Sequence, residues 1–422
     1  MVGRRGARLA LVLAAVLVAQ GCWFQAGYDA KRAGSNGGET AVTAATVAGL
    51  APAWTVTGGV GGGLREPLVF GGTVYVRGNG SVVAVDTATG ASRWAASIGG
   101  SAAPVLADNR LWVPETSNGC SLVPVDRGTG ALGARVTFGG PPLSGSLGFS
   151  LCIAGDAVSA GGRVATTWSY AGVTMAPHSG CPNFQVAANG SGLAAVNTAS
   201  PATTEWTTGG LATSCTVTPP TPPPAFAQLS SDETTLFSPG TTGFGRCTLA
   251  GCGSGGSVPA GTTVVPVATV LATGDLAVAA TDGRVLRLDP VTGAPRWTGT
   301  VGAPLAVPLA ATSSTIFAAG TDGTVAAFPL AGCGAATCAP AWTATLPAAA
   351  ADRPSVGADV LYVGGGDGTV TALPATGCGA ATCTALWTGS VGAAVSAPPV
   401  IDGGALYVGT TSGTLTAFRL PA

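Results

Sequence analysis

Basic chemistry is scarce in this chain. Its 422 residues include one histidine (His178), one lysine (Lys31) and 9% charged residues, with a net charge of −1. A single histidine excludes multi-histidine metal sites, and Schiff-base chemistry is left with Lys31 alone. Nucleic-acid binding needs a basic patch or stripe, and no charged run occurs beyond the extreme N-terminus. Long helices are disfavoured too, because 67 glycines and 30 prolines suit helix interiors badly. What is plentiful is apolar: 46% of the residues are hydrophobic, enough for a large core and too many for a disordered chain.

The N-terminus reads as an export signal. Arg4, Arg5 and Arg8 precede the apolar run Leu9–Ala19, which is too short to span a bilayer stably. Residues 1–21 are therefore expected to be a signal peptide. The segment ends in Val18-Ala19-Gln20-Gly21-Cys22, which resembles a bacterial lipobox and implies that Cys22 carries lipid. The alternatives are an ordinary cysteine behind a conventional cleavage site, or a twin-arginine signal at Arg4-Arg5, whose flanks match poorly.

Eleven cysteines are present, so setting Cys22 apart leaves an even number. Cys247 and Cys252, Cys333 and Cys338, and Cys378 and Cys383 share one spacing. Zinc favours closer pairs and histidines, and thioredoxin-like chemistry wants two intervening residues. A disulfide across a tight hairpin suits the spacing and an oxidising compartment. Cys120, Cys152, Cys181 and Cys215 allow three pairings, of which Cys120–Cys152 with Cys181–Cys215 is the expected one.

After residue 50 the sequence repeats. Short β-branched runs are separated by Asn79-Gly80, Asp282-Gly283, Asp322-Gly323, Asp367-Gly368 and Ser412-Gly413, the signal of strand–hairpin–strand units. Each unit is expected to be a four-stranded antiparallel meander. Trp54, Trp94, Trp206, Trp297, Trp342 and Trp387 fall at one place in the unit, and the two long intervals hold two units each. The unit after Trp387 lacks its last strand, which the strand around Trp54 can supply. The expected fold is all-β, an eight-bladed propeller closed by joining the chain ends, with seven blades as the alternative. Such closure leaves only short protected edges. The expected division is a signal peptide (1–21), a lipid-anchored lead-in (22–49) and a propeller domain (50–422).

The stretch from Ala84 through Asp86, Thr89 and Gly90 to Trp94 resembles the tryptophan-docking motif of pyrroloquinoline-quinone-type propellers. Asp289, Thr292, Gly293 and Trp297 repeat it, and Asp126, Thr129 and Gly130 repeat it without the tryptophan. The lead-in from Trp23, with Asp29, Arg32, Asn36, Glu39 and Thr40, resembles that superfamily as well. In physical terms Asp turns the chain by accepting backbone N–H groups, Gly supplies a positive φ, and Trp packs between blades. Before Trp342 and Trp387 the turn is replaced by a longer loop bearing Cys333 and Cys338 or Cys378 and Cys383, so these cysteines are expected to be architectural. Residues 163–188 read as an extra hairpin and Pro219–Pro224 as a stiff connector.

The resemblance raises a quinoprotein dehydrogenase, whose family uses calcium held by acidic and amide side chains, an Asp base and commonly a disulfide between adjacent cysteines. No two cysteines are adjacent, and most of the 19 acidic residues fall in turns. Fold does not carry function with it, so no catalytic residue, metal site or cofactor is assigned; quinone and calcium belong only to the dehydrogenase alternative. His178 reads as a surface residue, and Trp168, Tyr170 and Met175 as cover for a blade. Arg65-Glu66 and Asp352-Arg353 precede innermost strands in two blades, where they form either an interblade salt network or a ligand site at the channel mouth. The expectation is an exported, lipid-anchored, monomeric, non-catalytic scaffold facing the periplasm or cell exterior, whose partner is an envelope protein or small ligand. A dehydrogenase and an outer-membrane assembly lipoprotein are the alternatives.

Overall fold

The structure, a computed structural model, describes residues 23–29, 31–57, 62–117, 119–139, 149–160, 162–175, 185–198, 203–207, 212–214, 228–229, 235–248, 251–253 and 255–421. Among them the strands form eight sheets. The first shows the plan: Leu68–Phe70, Thr73–Gly78, Ser81–Asp86 and Ser92–Ser97 pair in sequence as an antiparallel meander. Its second strand is buried along its whole length, whereas its fourth alternates exposed and half-buried residues. The inner strands are thus covered on both faces and the outer strand on one.

The second sheet runs Val105–Ala107, Arg110–Glu115, Cys120–Asp126 and Val136–Gly139. The third contains the expected extra hairpin, built from the long strands Arg163–Met175 and Gln185–Asn197, with Phe149–Ala154 paired along it. The fourth runs Gln228–Leu229 to Gly251–Gly253, and the fifth Val264–Val270 to Pro295–Thr300. The sixth runs Ala310–Ala311 to Trp342–Thr345, and the seventh Ser355–Gly357 to Trp387–Ser390.

The eighth sheet joins two parts of the chain that lie far apart in sequence. Val400–Asp402, Ala405–Gly409 and Thr414–Arg419 come from the C-terminal region, and Ala51–Thr57 adds beside Thr414–Arg419. A bulge between Pro52 and Trp54 shifts that register, so Trp54 lies opposite Ala417.

Three sheets depart from the four-strand plan: the third has six strands, the seventh gains Ser35–Asn36 and the fifth gains Thr337–Cys338. Thr337–Cys338, inside a cysteine loop of the sixth sheet, pairs in parallel with Pro295–Thr300 and gives the fifth sheet an outer fifth strand. Thr382 pairs with Thr343 in the same sense one sheet further on. Each cysteine loop therefore extends the sheet before its own.

Successive turns of an antiparallel meander lie at opposite ends. The turns joining first to second and third to fourth strands share one end, here the turn end. The second-to-third turns and the entries into the first strands share the other, here the entry end. The lead-in crosses the inner strands and bonds to sheet after sheet. Trp23 pairs with Val69, and Leu106 N–H donates to Phe24 O. Val270 N–H donates to Lys31 O and Ala311 N–H to Ala33 O. Ser35–Asn36 pairs in parallel with Val356 and Gly357, and Asn36 Nδ2 donates to Ile401 O. Among the described residues no helix is long and apolar enough to cross a membrane.

Candidate functional site

The docking turns show why the repeat needs its motif. Asp86 Oδ1 accepts the N–H groups of Ala88 and Thr89 and the Thr89 hydroxyl. The Arg93 guanidinium, with these bonds, holds the Asp86 carboxyl below the usual carboxylate range. Asp126 and Asp289 accept the corresponding bonds in their own turns. Gly90 has φ +73, and a Cβ there would lie 2.9 Å from the Trp54 ring. Trp54 Nε1 donates to Thr87 O in that turn, and Trp94 Nε1 donates to Arg127 O in the next. Glycine is thus required twice over, by its backbone conformation and by the indole lying on it.

The cysteine loops reproduce this contact by other means. Disulfides join Cys333 to Cys338 and Cys378 to Cys383. The Trp297 ring lies against Gly332 and the Trp342 ring against Gly377, while Trp387 Nε1 donates to Leu50 O. Gly293 meets the Ser257 carbonyl instead of an indole. A third disulfide, Cys120–Cys152, ties the second sheet to the third beside buried Trp168. Cys22, His178, Cys181 and Cys215 lie outside the described residues, as do the side chains of Cys247, Cys252, Tyr170, Met175 and Trp206. The backbone register sets Cys247 opposite Cys252.

The charged pairs at the strand entries meet in a cup of about 310 Å3 on the axis of the inner strands. Its wall comes from seven sheets and includes Arg65, Glu66, Ala103, Asp156, Asp352 and Arg353, and its floor from the lead-in residues Ala26 and Arg32. Glu66 is 6% exposed and is its central acceptor. Its Oε1 accepts Trp23 Nε1 at 2.7 Å and Gly27 N–H at 2.8 Å. Its Oε2 accepts Arg353 Nη2 at 2.8 Å. Asp156 Oδ1 accepts Ala103 N–H at 2.6 Å, and its Oδ2 accepts Arg32 Nη1 at 3.4 Å.

Arg32 reaches this position through a tight loop. Gly27 has φ +84, and a Cβ there would stand 2.5 Å from Arg32 Cα. Arg32 itself has φ +54, a conformation few side-chain-bearing residues adopt. Burial lowers its pKa, against the pull of Asp156.

Of the four residues expected at the channel mouth, Glu66 and Arg353 meet in a buried ion pair between the first and seventh sheets. Arg65 stands apart, exposed, donating Nε to Ser101 O at 2.7 Å. Arg65 and Arg353 both line the cup, each with its own hydrogen-bond partner. Asp352 Oδ1 accepts the Arg353 N–H at 2.7 Å, and burial pushes its carboxyl up to about 6. Sequence reasoning missed Asp156, which carries no motif, and knew Arg32 only through family resemblance. It also missed Arg77, fully buried, whose guanidinium donates to the carbonyls of Ile98, Gly99 and Gly100 and anchors the link between two sheets.

Asp352 gives a pH prediction. Its folded pKa lies above the ordinary value of 3.8, so the fold prefers the neutral acid. That contribution is complete below about pH 4 and lost as pH rises through about 6. Asp352→Asn is expected to match wild type in thermal unfolding near pH 4 and to exceed it at pH 8. The gain should be on the order of 1–2 kcal/mol, since the side chain keeps partial contact with solvent. Equal curves at pH 8 would refute the assignment.

Calcium takes six to eight oxygen ligands. Both oxygens of Glu66 and of Asp156 are already engaged by N–H donors, and among the described residues no three His, Cys, Asp or Glu converge on a metal position.

The comparisons agree with this architecture. A family model described as outer membrane protein assembly factor BamB matches residues 38–200 and 281–420. Solved structures share the fold at low identity. The quinohemoprotein alcohol dehydrogenase of Comamonas testosteroni is 14% identical, with a TM-score of 0.62 over 94% of this chain and 80% of that one. The ADHIIG enzyme of Pseudomonas putida HK5 is 12% identical, with a TM-score of 0.64 over 97% and 82%. The computationally designed Ika8 protein is 11% identical, with a TM-score of 0.60 over 86% and 98%. No curated protein matches the sequence significantly. The docking turns recur from sheet to sheet and most of the length is matched, and the chain belongs to the BamB-type family of PQQ-like repeat β-propellers.

Proposed function

We propose that this protein is an exported, lipid-anchored, non-catalytic scaffold of the cell envelope, an eight-bladed ring that offers its entry-end cup to a partner. The observation that carries the reading is the state of the cup's acids. Glu66 and Asp156 spend their oxygens on the lead-in and on neighbouring sheets, as structural groups do, rather than facing the space as a general base or metal ligand would. The eight sheets and the pairing of Ala51–Thr57 with Thr414–Arg419 support a ring of eight closed by both chain ends. The family model's description, an assembly factor for outer membrane proteins, supports a protein partner. The exposed Arg65 at the rim supports an acidic or carboxylate-bearing contact on that partner.

A direct test takes the purified full chain with pyrroloquinoline quinone and calcium. No saturable binding and no alcohol-dependent dye reduction is the expected result, and saturable binding with turnover would replace the scaffold by a dehydrogenase. In parallel, a photo-crosslinker at Ser396 on the cup wall, activated in intact cells, should yield a discrete adduct with an envelope protein. Arg65→Glu should reduce that adduct several-fold without changing the thermal midpoint. An adduct indifferent to Arg65→Glu would remove the rim from the partner site.

A further inference from the structure

A lipid on Cys22 sits directly beside Trp23, the next residue along the chain. Trp23 is fully buried, exchanges both backbone hydrogen bonds with Val69, and donates Nε1 to Glu66. The fixed body therefore begins one peptide bond after Cys22. A chain spans at most about 3.5 Å per residue, so a lipid on Cys22 has no tether on which the protein can swing. The antiparallel pairing of Trp23 with Val69 turns its N-terminal side toward Phe70 and the Gly71-Gly72 turn, at the turn end of the first sheet.

The surface there matches. Among the described residues three large hydrophobic side chains are exposed: Phe24 at 38%, Leu132 at 44% and Val291 at 55%. All three belong to the turn end. Phe24 leaves the lead-in beside Phe70, with ring centroids 5.6 Å apart. Leu132 follows the Asp126–Gly130 turn, and Val291 lies inside the Asp289–Gly293 turn. The Arg127 guanidinium stacks on the Phe70 ring at 4.5 Å. An arginine head over an aromatic body is a pairing suited to a headgroup boundary. The entry end, by contrast, carries the cup and exposed Arg65.

We infer that the turn end lies against the membrane that holds the anchor, with Phe24, Leu132 and Val291 entering the interface and the cup facing away. This rests on the lipid-anchor reading and adds an orientation to it.

The test uses the lipidated full chain in vesicles of phosphatidylcholine with phosphatidylglycerol, beside a variant carrying about twelve Gly/Ser residues between Cys22 and Trp23, long enough to free the body. Hydroxyl-radical footprinting with mass spectrometry reads each side chain, and the mass of the N-terminal peptide reads acylation. Cooperative unfolding at the wild-type midpoint shows that the insertion leaves the fold intact. The expected result is oxidation of Phe24, Leu132 and Val291 about threefold or more lower in the wild type than in the inserted variant, with Arg65 labelled equally in both. An acylated Cys22 with equal labelling of the three hydrophobics in both proteins overturns the orientation and leaves the anchor standing. An unacylated Cys22 overturns both.

Discussion

Glu66→Ala should be the most damaging single substitution at the cup. It removes the acceptor of Trp23 Nε1 and Gly27 N–H and the partner of Arg353, which is 3% exposed. An unpaired buried guanidinium costs about 3–5 kcal/mol, and the stranded lead-in donors add to it. Urea unfolding should show a midpoint far below wild type, and limited proteolysis should cut first in residues 23–36. Glu66→Gln keeps one acceptor and should fall between the two. A Glu66→Ala protein within about 1 kcal/mol of wild type would mean that the ion pair holds nothing.

The second large effect concerns the ends. Removing residues 400–422 takes all three C-terminal strands of the eighth sheet and leaves Ala51–Thr57 without its partner. The seventh and first sheets then each lose a packed neighbour, together with a core that includes Val400, Ile401, Leu406, Tyr407 and Phe418. Exposed strand edges and apolar faces of that size promote association. The truncated chain should elute as aggregate in size-exclusion chromatography. A monomeric product with a cooperative transition would show that the eighth sheet does not close the molecule.

What the sequence disclosed and what it hid follow one physical divide. Asp86, Thr89 and Gly90 form a turn whose bonds span two or three residues, so composition and spacing alone reveal it. Trp54 and Gly90 were legible because the pattern recurs, although the contact lies between sheets. Glu66 and Arg353 are 287 positions apart, and only the order of sheets around the axis brings them together. The sequence therefore offered two charged pairs and two meanings, a salt network or a ligand site. Half of each pair joined the network, while Arg65 stayed at the rim. Asp156 and Arg32 carry no local pattern, and their meeting depends on where the lead-in crosses. The parallel strand Thr337–Cys338 was hidden for a different reason. Its bonds to Thr298 and Gly299 are made by main chain, which no side-chain pattern records.

The pairing of Ala51–Thr57 with Thr414–Arg419 also sets a timetable. Thr55 and Thr416, joined through their hydroxyls, stand 361 positions apart. Ala51–Thr57 is therefore made long before the strand it pairs with. At the common pace of about 5–20 residues per second, several tenths of a minute or more separate the two during synthesis. Throughout that interval the early strand has no place in the finished molecule. Sheets one to seven can form earlier, but the eighth stays incomplete until Thr414–Arg419 reaches Ala51–Thr57. Completion of the eighth sheet is therefore a late step, set by the arrival of Thr414–Arg419 rather than by the folding of any one repeat.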